Sequence, residues 1–367
     1  MADAFWEFFR SLLRPFPQWG PPAETFSLYQ ALRWGDPKVR GRIVLVDQGT
    51  PRVAEDSLVV RCGLRQHLEQ PWPVIWTEHD KARLVSTSLA LINDRKEVCL
   101  ESVYGPLRWR EDPSARFLRL PPARFLAGPW TSLVSAWTPL DGIPIYGHWL
   151  HDALPRLAIL RDLPRETGIL VPPKLKPIHW ETLDLLGLRS RCRPTTETHL
   201  KVEKYHFSAP TSMIDCYNPY GIQWMRESFL PLADRTYQGP KKFFFARTGK
   251  RRAIENIREI TRILVDHGWA VVRDMDLTFA QTVRLFSQAT EVCGFLGSNM
   301  SNVIFCSPGC RVLHWVPDNF LDGWVDLMAP VLQLDYRSII LRSGGPKAHT
   351  IQLDPEEILA GLCAWGS

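Results

Sequence analysis

The chain has no apolar stretch of membrane-spanning length, and its amino terminus lacks the continuous apolar core and cleavage site of a secretory signal. It also lacks cysteines at zinc or redox spacing: the eight are scattered, and the one close pair, Cys306 and Cys310, is separated by three residues. That usage points to reduced thiols in a reducing compartment, hence an intracellular, cytoplasmic protein. A large excess of one sign of charge is lacking too. A net charge of +5 permits an anionic partner but falls short of a dedicated nucleic-acid binder, and aromatic-rich single-strand motifs are absent.

With 45% hydrophobic and 23% charged residues the chain is globular rather than disordered, and 367 residues suffice for two domains with separate cores. Proline (30) and tryptophan (15) are in excess. The prolines cluster in the first half, which should be rich in loops. There, short β-like runs such as Arg42–Val46 and Ser57–Arg61 alternate with Pro/Gly punctuation, and Trp72 and Trp76 could line a sugar-stacking surface or be buried. At the start, Phe5, Trp6, Phe8, Phe9, Leu12 and Leu13 beside Arg10 and Arg14 form a broad apolar face within residues 1–19. A short helix there would dock on the core or on a partner, or make peripheral contact with a membrane.

The most regular stretch is Lys241–Pro317. A short apolar run, Phe243–Ala246, leads into four basic residues, Arg247, Lys250, Arg251 and Arg252. Next, Ile254, Ile257, Ile260, Ile263 and Leu264 fall at helical spacing, closed by Gly268. Trp269–Arg273 reads as a strand, and Thr278 with Gln281 as a capping box. A third strand, a small-residue turn from Gly294 to Ser301, a short helix and a fourth strand follow. This alternation predicts a parallel sheet with ligands at the strand carboxyl ends, where both the basic turn and Gly297–Asn302 would sit. One turn brings cations to a helix start and the other brings closely approachable backbone N–H groups, together a diphosphate site; alone, the basic turn also reads as a solvated surface loop.

Upstream, Tyr146–Leu163 reads YGHWLHDALPRLAILRDL. His148 and Asp152 are four apart, so on a helix they share a face, while Leu150, Leu154, Leu157 and Leu160 mark the buried side. They form an acid/base unit or, in structural terms, a capping Asp and a core His; His151 lies off that face. Between Thr167 and Ser208 a less regular α/β unit is expected. Residues 233–240 read as a polar linker, which divides the chain into an amino-terminal domain at 1–235 and a carboxy-terminal one at 240–367, whose last helix, Pro355–Trp365, could pack back across the boundary.

The ordered motifs GHWLHDALPRL, FARTGKRRAIEN and GFLGSNMSNVIFCSPG resemble glycosyltransferase family 61, which includes plant xylosyltransferases, animal protein O-GlcNAc transferases and many bacterial members. The resemblance covers about Tyr146–Pro317. It implies a GT-B fold, two Rossmann-like domains facing across a cleft, with a nucleotide sugar held mainly by the second. It carries the family's helical His and Asp onto His148 and Asp152, and its arginine, basic-residue and asparagine pattern onto Arg247, Arg252 and Asn256. Its Gln falls on Gln281 and its glycine-rich turn on Gly294, Gly297 and Asn302. Departures are Leu296 for the usual turn His, Ile257 for Glu, and His314 for a Glu in the last strand; they bear on donor geometry, sugar identity and activity.

On this basis the expected function is inverting transfer of a sugar from a nucleotide-sugar donor, UDP-linked, to a hydroxyl of a glycan or lipid-linked acceptor in cell-surface polysaccharide synthesis. His148 is the candidate base with Asp152 as its partner. Arg247, Lys250, Arg251, Arg252, Asn256, Gly297, Ser298, Asn299, Ser301 and Asn302 are the candidate donor contacts. The cations would stabilise the leaving diphosphate without a metal, and no cofactor is expected. Asp274 and Asp276 have a spacing that binds Mn²⁺ in other glycosyltransferases, but their place between a strand and a capping box favours a turn. The alternatives are a nucleotide-sugar-binding protein without catalysis and, from net charge, a nucleic-acid-binding module.

Overall fold

The computed structural model describes residues 25–37, 39–44, 74–103, 120–213, 216–246, 253–321, 323–342 and 350–366. The amphipathic stretch 1–19, the run Ser57–Arg61, Trp72 and the basic turn Arg247–Arg252 lie outside them. Two compact units divide the described chain, one up to Met213 and one from Cys216 on. Each sets helices against a sheet, so the chain is α/β.

The first unit carries a nine-stranded sheet. Its strands are β1 (Thr25–Phe26), β2 (Arg40–Val44), β3 (Val74–Val85), β4 (Ala90–Ile92), β5 (Val98–Cys99), β6 (Arg124–Ser132), β7 (Gly168–Val171), β8 (Cys192–Pro194) and β9 (His199–Ser208). They run β1-β5-β4-β3-β9-β6-β7-β8, with β2 paired to β3. From β9 to β8 neighbours are parallel, whereas β3 is antiparallel to both β9 and β4. The sheet is therefore mixed, and only its second half has Rossmann-like pairing. The β3–β4 pair is antiparallel because its connection is short: β3 turns into β4 through Ser86–Leu89, with Ser86 at φ 71° and Leu89 at φ 52°, and so short a loop joins only antiparallel strands. In the parallel half the chain steps outward from β6 to β8, then returns to lay β9 on the other side of β6. Trp76 is buried in β3 under the Arg42 guanidinium, 4.2 Å from its ring centre, so it is no open sugar platform.

The second unit carries five parallel strands, β10 (Lys242–Ala246), β11 (Ala270–Arg273), β12 (Glu291–Phe295), β13 (Arg311–Pro317) and β14 (Asp335–Leu341), in the order β11-β10-β12-β13-β14. Side chains alternate across this sheet. Phe243 and Phe245 pack edge-on against Phe286 of helix Phe279–Ser287 on one face. On the other, Phe244 joins Ile260 and Leu264 of helix Ile257–Asp266 and Ile358, Leu362 and Trp365 of helix Pro355–Trp365. The capping box is present in full: Gln281 N–H donates to Thr278 Oγ1 and Thr278 N–H to Gln281 Oε1. Asp274–Asp276 forms a single 3₁₀ turn just before it.

Helix Ile257–Asp266 starts three residues later than its periodicity suggests, because Ala253–Ile254 pairs in parallel with Thr350–Ile351. Asn256 extends that pairing with its side chain, accepting from Leu353 N–H (3.1 Å) and donating to Leu353 C=O (2.8 Å). Gly294 in β12 is a glycine for a steric reason: Met300 Sδ would lie 2.3 Å from any Cβ there. Gly294→Ala should therefore lower the unfolding free energy by about 1–3 kcal/mol in urea titrations, and Met300→Ala in the same chain should recover part of the loss.

Candidate active site

In the second unit the chain goes from β10 outward to β11 and then crosses back to β12 on the other side of β10. Strand order reverses there, and the helices that follow β10 and β12 lie on opposite faces of the sheet, the arrangement at which open α/β sheets take a ligand. The basic segment leaves β10 directly after Ala246, and Gly297 follows β12 by two residues. The two turns expected to share a diphosphate thus leave from adjacent strands at one sheet edge.

One side chain ties that edge together. Asn299 Nδ2 donates to the Phe245 carbonyl at the end of β10 (3.3 Å), and Asn302 Nδ2 donates to the Asn299 carbonyl (2.7 Å). Gly297 is fully extended, and an eight-residue 3₁₀ helix, Ser298–Phe305, begins right after it. Arg226 closes the other end of this helix, donating to the carbonyls of Ile304 and Cys306. Asn299 Oδ1 and Ser301 Oγ are buried without a hydrogen-bond partner among the described residues, an unmet polar demand in the helix that follows β12. Asn256, by contrast, is committed to Leu353, and Gln281 to its cap.

In the first unit His148 and Asp152 do meet: His148 Nδ1 lies 2.6 Å from Asp152 Oδ2. Asp152 is buried, at 4% side-chain exposure, while the imidazole is 36% exposed. The helix start at Ile145 has no side-chain cap, so Asp152 serves its neighbour one turn back rather than the helix end. Between the two residues the helix widens, with Leu154 N–H reaching back five residues to the Trp149 carbonyl. Pro155 explains the change: it has no N–H to offer the His151 carbonyl, which takes the Thr211 hydroxyl instead (3.1 Å). Of the four leucines expected on the buried side, Leu150, Leu154 and Leu157 are buried and Leu160 is half-buried, and the whole run from Trp149 to Ile159 is buried rather than one stripe of it.

The dyad stands where strand order reverses in this unit, between β6 and β9. Arg156, deeply buried, donates from Nε to the Ser208 carbonyl ending β9 (2.8 Å) and from Nη1 to the Val134 carbonyl just past β6 (3.0 Å). Trp137, in the loop after β6, lies flat on the His148 ring at 4.7 Å between centres and 4° between planes. Periodicity gives no hint of Trp137 or Thr211, which lie in irregular segments. Arg156 sits inside the GHWLHDALPRL motif, and there the signal was its proximity to the dyad.

Elsewhere the buried histidines are kept neutral. Burial, with the nearby His148 adding to it, pushes His151 down to about 3, and burial alone pushes His314 down to about 3. His79 and His179 fall to about 4, mainly through burial. His314 stands in β13 with Nδ1 3.0 Å from Tyr336 Oη, which donates to Asp326 (2.7 Å); Ser338 donates to the same carboxylate. Unfolded imidazoles take up protons near 6.5, whereas these stay neutral until about 3–4, so between those limits the unfolded chain binds more protons. Stability is therefore full above pH 6.5 and declines as pH falls. The urea midpoint should drop between pH 7.5 and 5.5, and His314→Asn should make that decline shallower.

Among the described residues no helix is long and apolar enough to cross a membrane, and no group of three or more His, Cys, Asp or Glu is placed to hold a metal. Comparison with curated proteins finds no match. The family model described as Glycosyltransferase 61 matches residues 146–313, a span that begins just before the His148 dyad and ends within β13. Over this stretch the chain is similar to glycosyltransferase family 61, a likeness that suggests glycosyltransferase activity with a sugar donor and an acceptor as partners.

Proposed function

We propose that the chain is an inverting glycosyltransferase of the GT-B kind, taking a sugar from a UDP-linked donor to a hydroxyl of a glycan or lipid-linked acceptor in cell-surface polysaccharide synthesis. The observation that supports this most is the reversal of strand order between β10 and β12, with Asn299 fastened to Phe245 where the basic segment begins. The donor diphosphate would lie against Arg247, Lys250, Arg251 and Arg252 and the start of helix Ser298–Phe305, with Ser298, Asn299, Ser301 and Asn302 beneath it. Fixed cations and backbone N–H groups aimed at the departing diphosphate stabilise charge as it develops. In this reading the four cations within residues 247–252 would fill that role without a metal ion or a cofactor.

The base in this reading is His148. With Nδ1 held by Asp152, its Nε2 is the nitrogen left to take the acceptor hydroxyl proton while the anomeric carbon passes through an oxocarbenium-like state. The buried carboxylate fixes the tautomer and stabilises the imidazolium that results. We place the enzyme in the cytoplasm, with the apolar face of residues 1–19 as a peripheral membrane contact near a lipid-linked acceptor.

A second reading, a nucleotide-sugar-binding protein without transfer, draws on His314 and Leu296. Where the resembled family has a Glu, His314 is wholly buried and spent on Tyr336, and Leu296 is packed against Val316. A panel of nucleoside diphosphates separates the readings from any other: at least one should raise the melting temperature without added metal, and flat melting across the panel rules out both. Donor-sugar hydrolysis or transfer then decides between them. His148→Ala should reduce transfer by at least about a hundredfold and leave the diphosphate-induced melting shift intact; retained transfer removes His148 as base. Arg247→Ala should shrink the melting shift itself.

A further inference from the structure

The loop that carries Trp137 is built to hold it still. Ser135 and Thr138 pair with each other across a tight turn, Thr138 N–H donating to the Ser135 carbonyl at 3.0 Å. Their hydroxyls are 3.0 Å apart, Ser135 N–H donates to Thr138 Oγ1, and Thr138 Oγ1 donates on to the Leu133 carbonyl. Trp137 N–H itself donates to Ser135 Oγ at 3.3 Å. Ser135 and Thr138 are both buried, so the turn is fixed at its base, and Arg156 anchors the preceding Val134 carbonyl. A tryptophan at the tip of so braced a turn is placed there before any ligand arrives.

What it meets is the imidazole of His148, ring on ring, with planes within 4°. Asp152 holds the same ring by its Nδ1 edge. An edge contact alone leaves the ring free to swing about that bond; a face contact alone leaves it free to slide. Together they fix both. The titratable groups facing the ring among the described residues are Asp152, bonded to it, and His151, whose own charge is suppressed by burial. The indole face, with its negative quadrupole, favours a cation stacked on it.

We propose that Trp137 is a positioning residue for His148: it locks the imidazole with Nε2 outward and stabilises the imidazolium formed when that nitrogen takes a proton from the acceptor hydroxyl. The proton passes from the hydroxyl oxygen to Nε2, the oxygen forms the new glycosidic bond, and the electron pair of the broken bond leaves with the donor diphosphate. This rests on the reading of His148 as base, yet its first test does not need the donor.

Histidine labelled at Cε1 gives a titration curve for His148 by NMR, assigned by its loss in His148→Ala. Three variants separate bulk from π face: Trp137→Leu keeps apolar volume without an aromatic face, Trp137→Phe keeps a smaller face, and Trp137→Ala removes both. The His148 midpoint should fall by about half a unit to one unit in Trp137→Leu and Trp137→Ala and stay near wild type in Trp137→Phe. In transfer assays kcat should fall about tenfold in Trp137→Leu, with the acid limb of the pH profile moved to lower pH and the diphosphate melting shift unchanged. A midpoint in Trp137→Leu equal to wild type, or an equal fall in Trp137→Leu and Trp137→Phe, overturns the proposal. A shifted midpoint in a protein that binds no nucleoside diphosphate upholds the stack and overturns the transferase reading instead.

Discussion

Two neighbouring parallel strands whose continuations go to opposite faces cannot share hydrogen bonds past their ends, so the last carbonyl of one must find a side chain or water. In the second unit that carbonyl belongs to Phe245, and Asn299 answers it. The consequence reaches beyond one bond. Because Asn299 belongs to the helix that starts just after Gly297, satisfying β10 fixes the height of the helix start above the sheet. Backbone N–H groups at a helix start can serve an anion only if something holds them, and here the sheet's own unmet valence does so.

The first unit solves the same problem with a different residue. Its strand order reverses between β6 and β9, and Arg156 takes both the Ser208 and Val134 carbonyls with one guanidinium. A planar fork suits this, since two acceptors on diverging chains are reached from one rigid group. Arg156 follows Pro155, and Pro155 widens the helix that carries His148 and Asp152. The sequence Ala-Leu-Pro-Arg therefore does two jobs at once: the proline frees the His151 carbonyl for Thr211, and the arginine clamps the two strand ends beside the dyad. A break in regular winding next to a candidate base is a local cost that the surrounding clamp makes tolerable.

Local chemistry made parts of this legible in the residues. Thr278 and Gln281 cap as their spacing says, and Pro355–Trp365 is a helix from end to end. The strands around the small-residue turn fall where the apolar runs place them. Long-range pairing was the part that could not be read. β3 finds β9 more than a hundred residues later, and nothing local in Val74–Val85 says whether its partner runs parallel or antiparallel. β14 leaves no clear mark in the sequence because it is a half-buried edge strand after a helix whose proline, Pro330, disguises the periodicity. At the candidate site the His148–Asp152 pairing was legible from spacing, whereas Trp137 was not, since its position depends on a turn closed by two hydroxyls. Asn256, marked for a ligand by resemblance, has its side-chain amide on the backbone of Leu353, a long-range contact that no local pattern announces.

The departures from the resembled family acquire a physical meaning in the same frame. His314 sits midway along β13, opposite Gly294 on one side and Ser338 on the other. Glycine at 294 lets Met300 fold down onto the sheet beside it, and Asp326, Tyr336 and Ser338 complete a closed polar chain from the imidazole outward. A carboxylate at 314 would face Asp326 through a single tyrosine hydroxyl, two buried like charges with one proton between them, which is costly. A neutral imidazole fits: its Nδ1–H donates to the tyrosine, which donates to Asp326. Leu296, buried against Val316, then closes the apolar side. Histidine at 314 and leucine at 296 thus both point into the interior, and in the proposed reading the anion is left to the basic segment and the start of helix Ser298–Phe305.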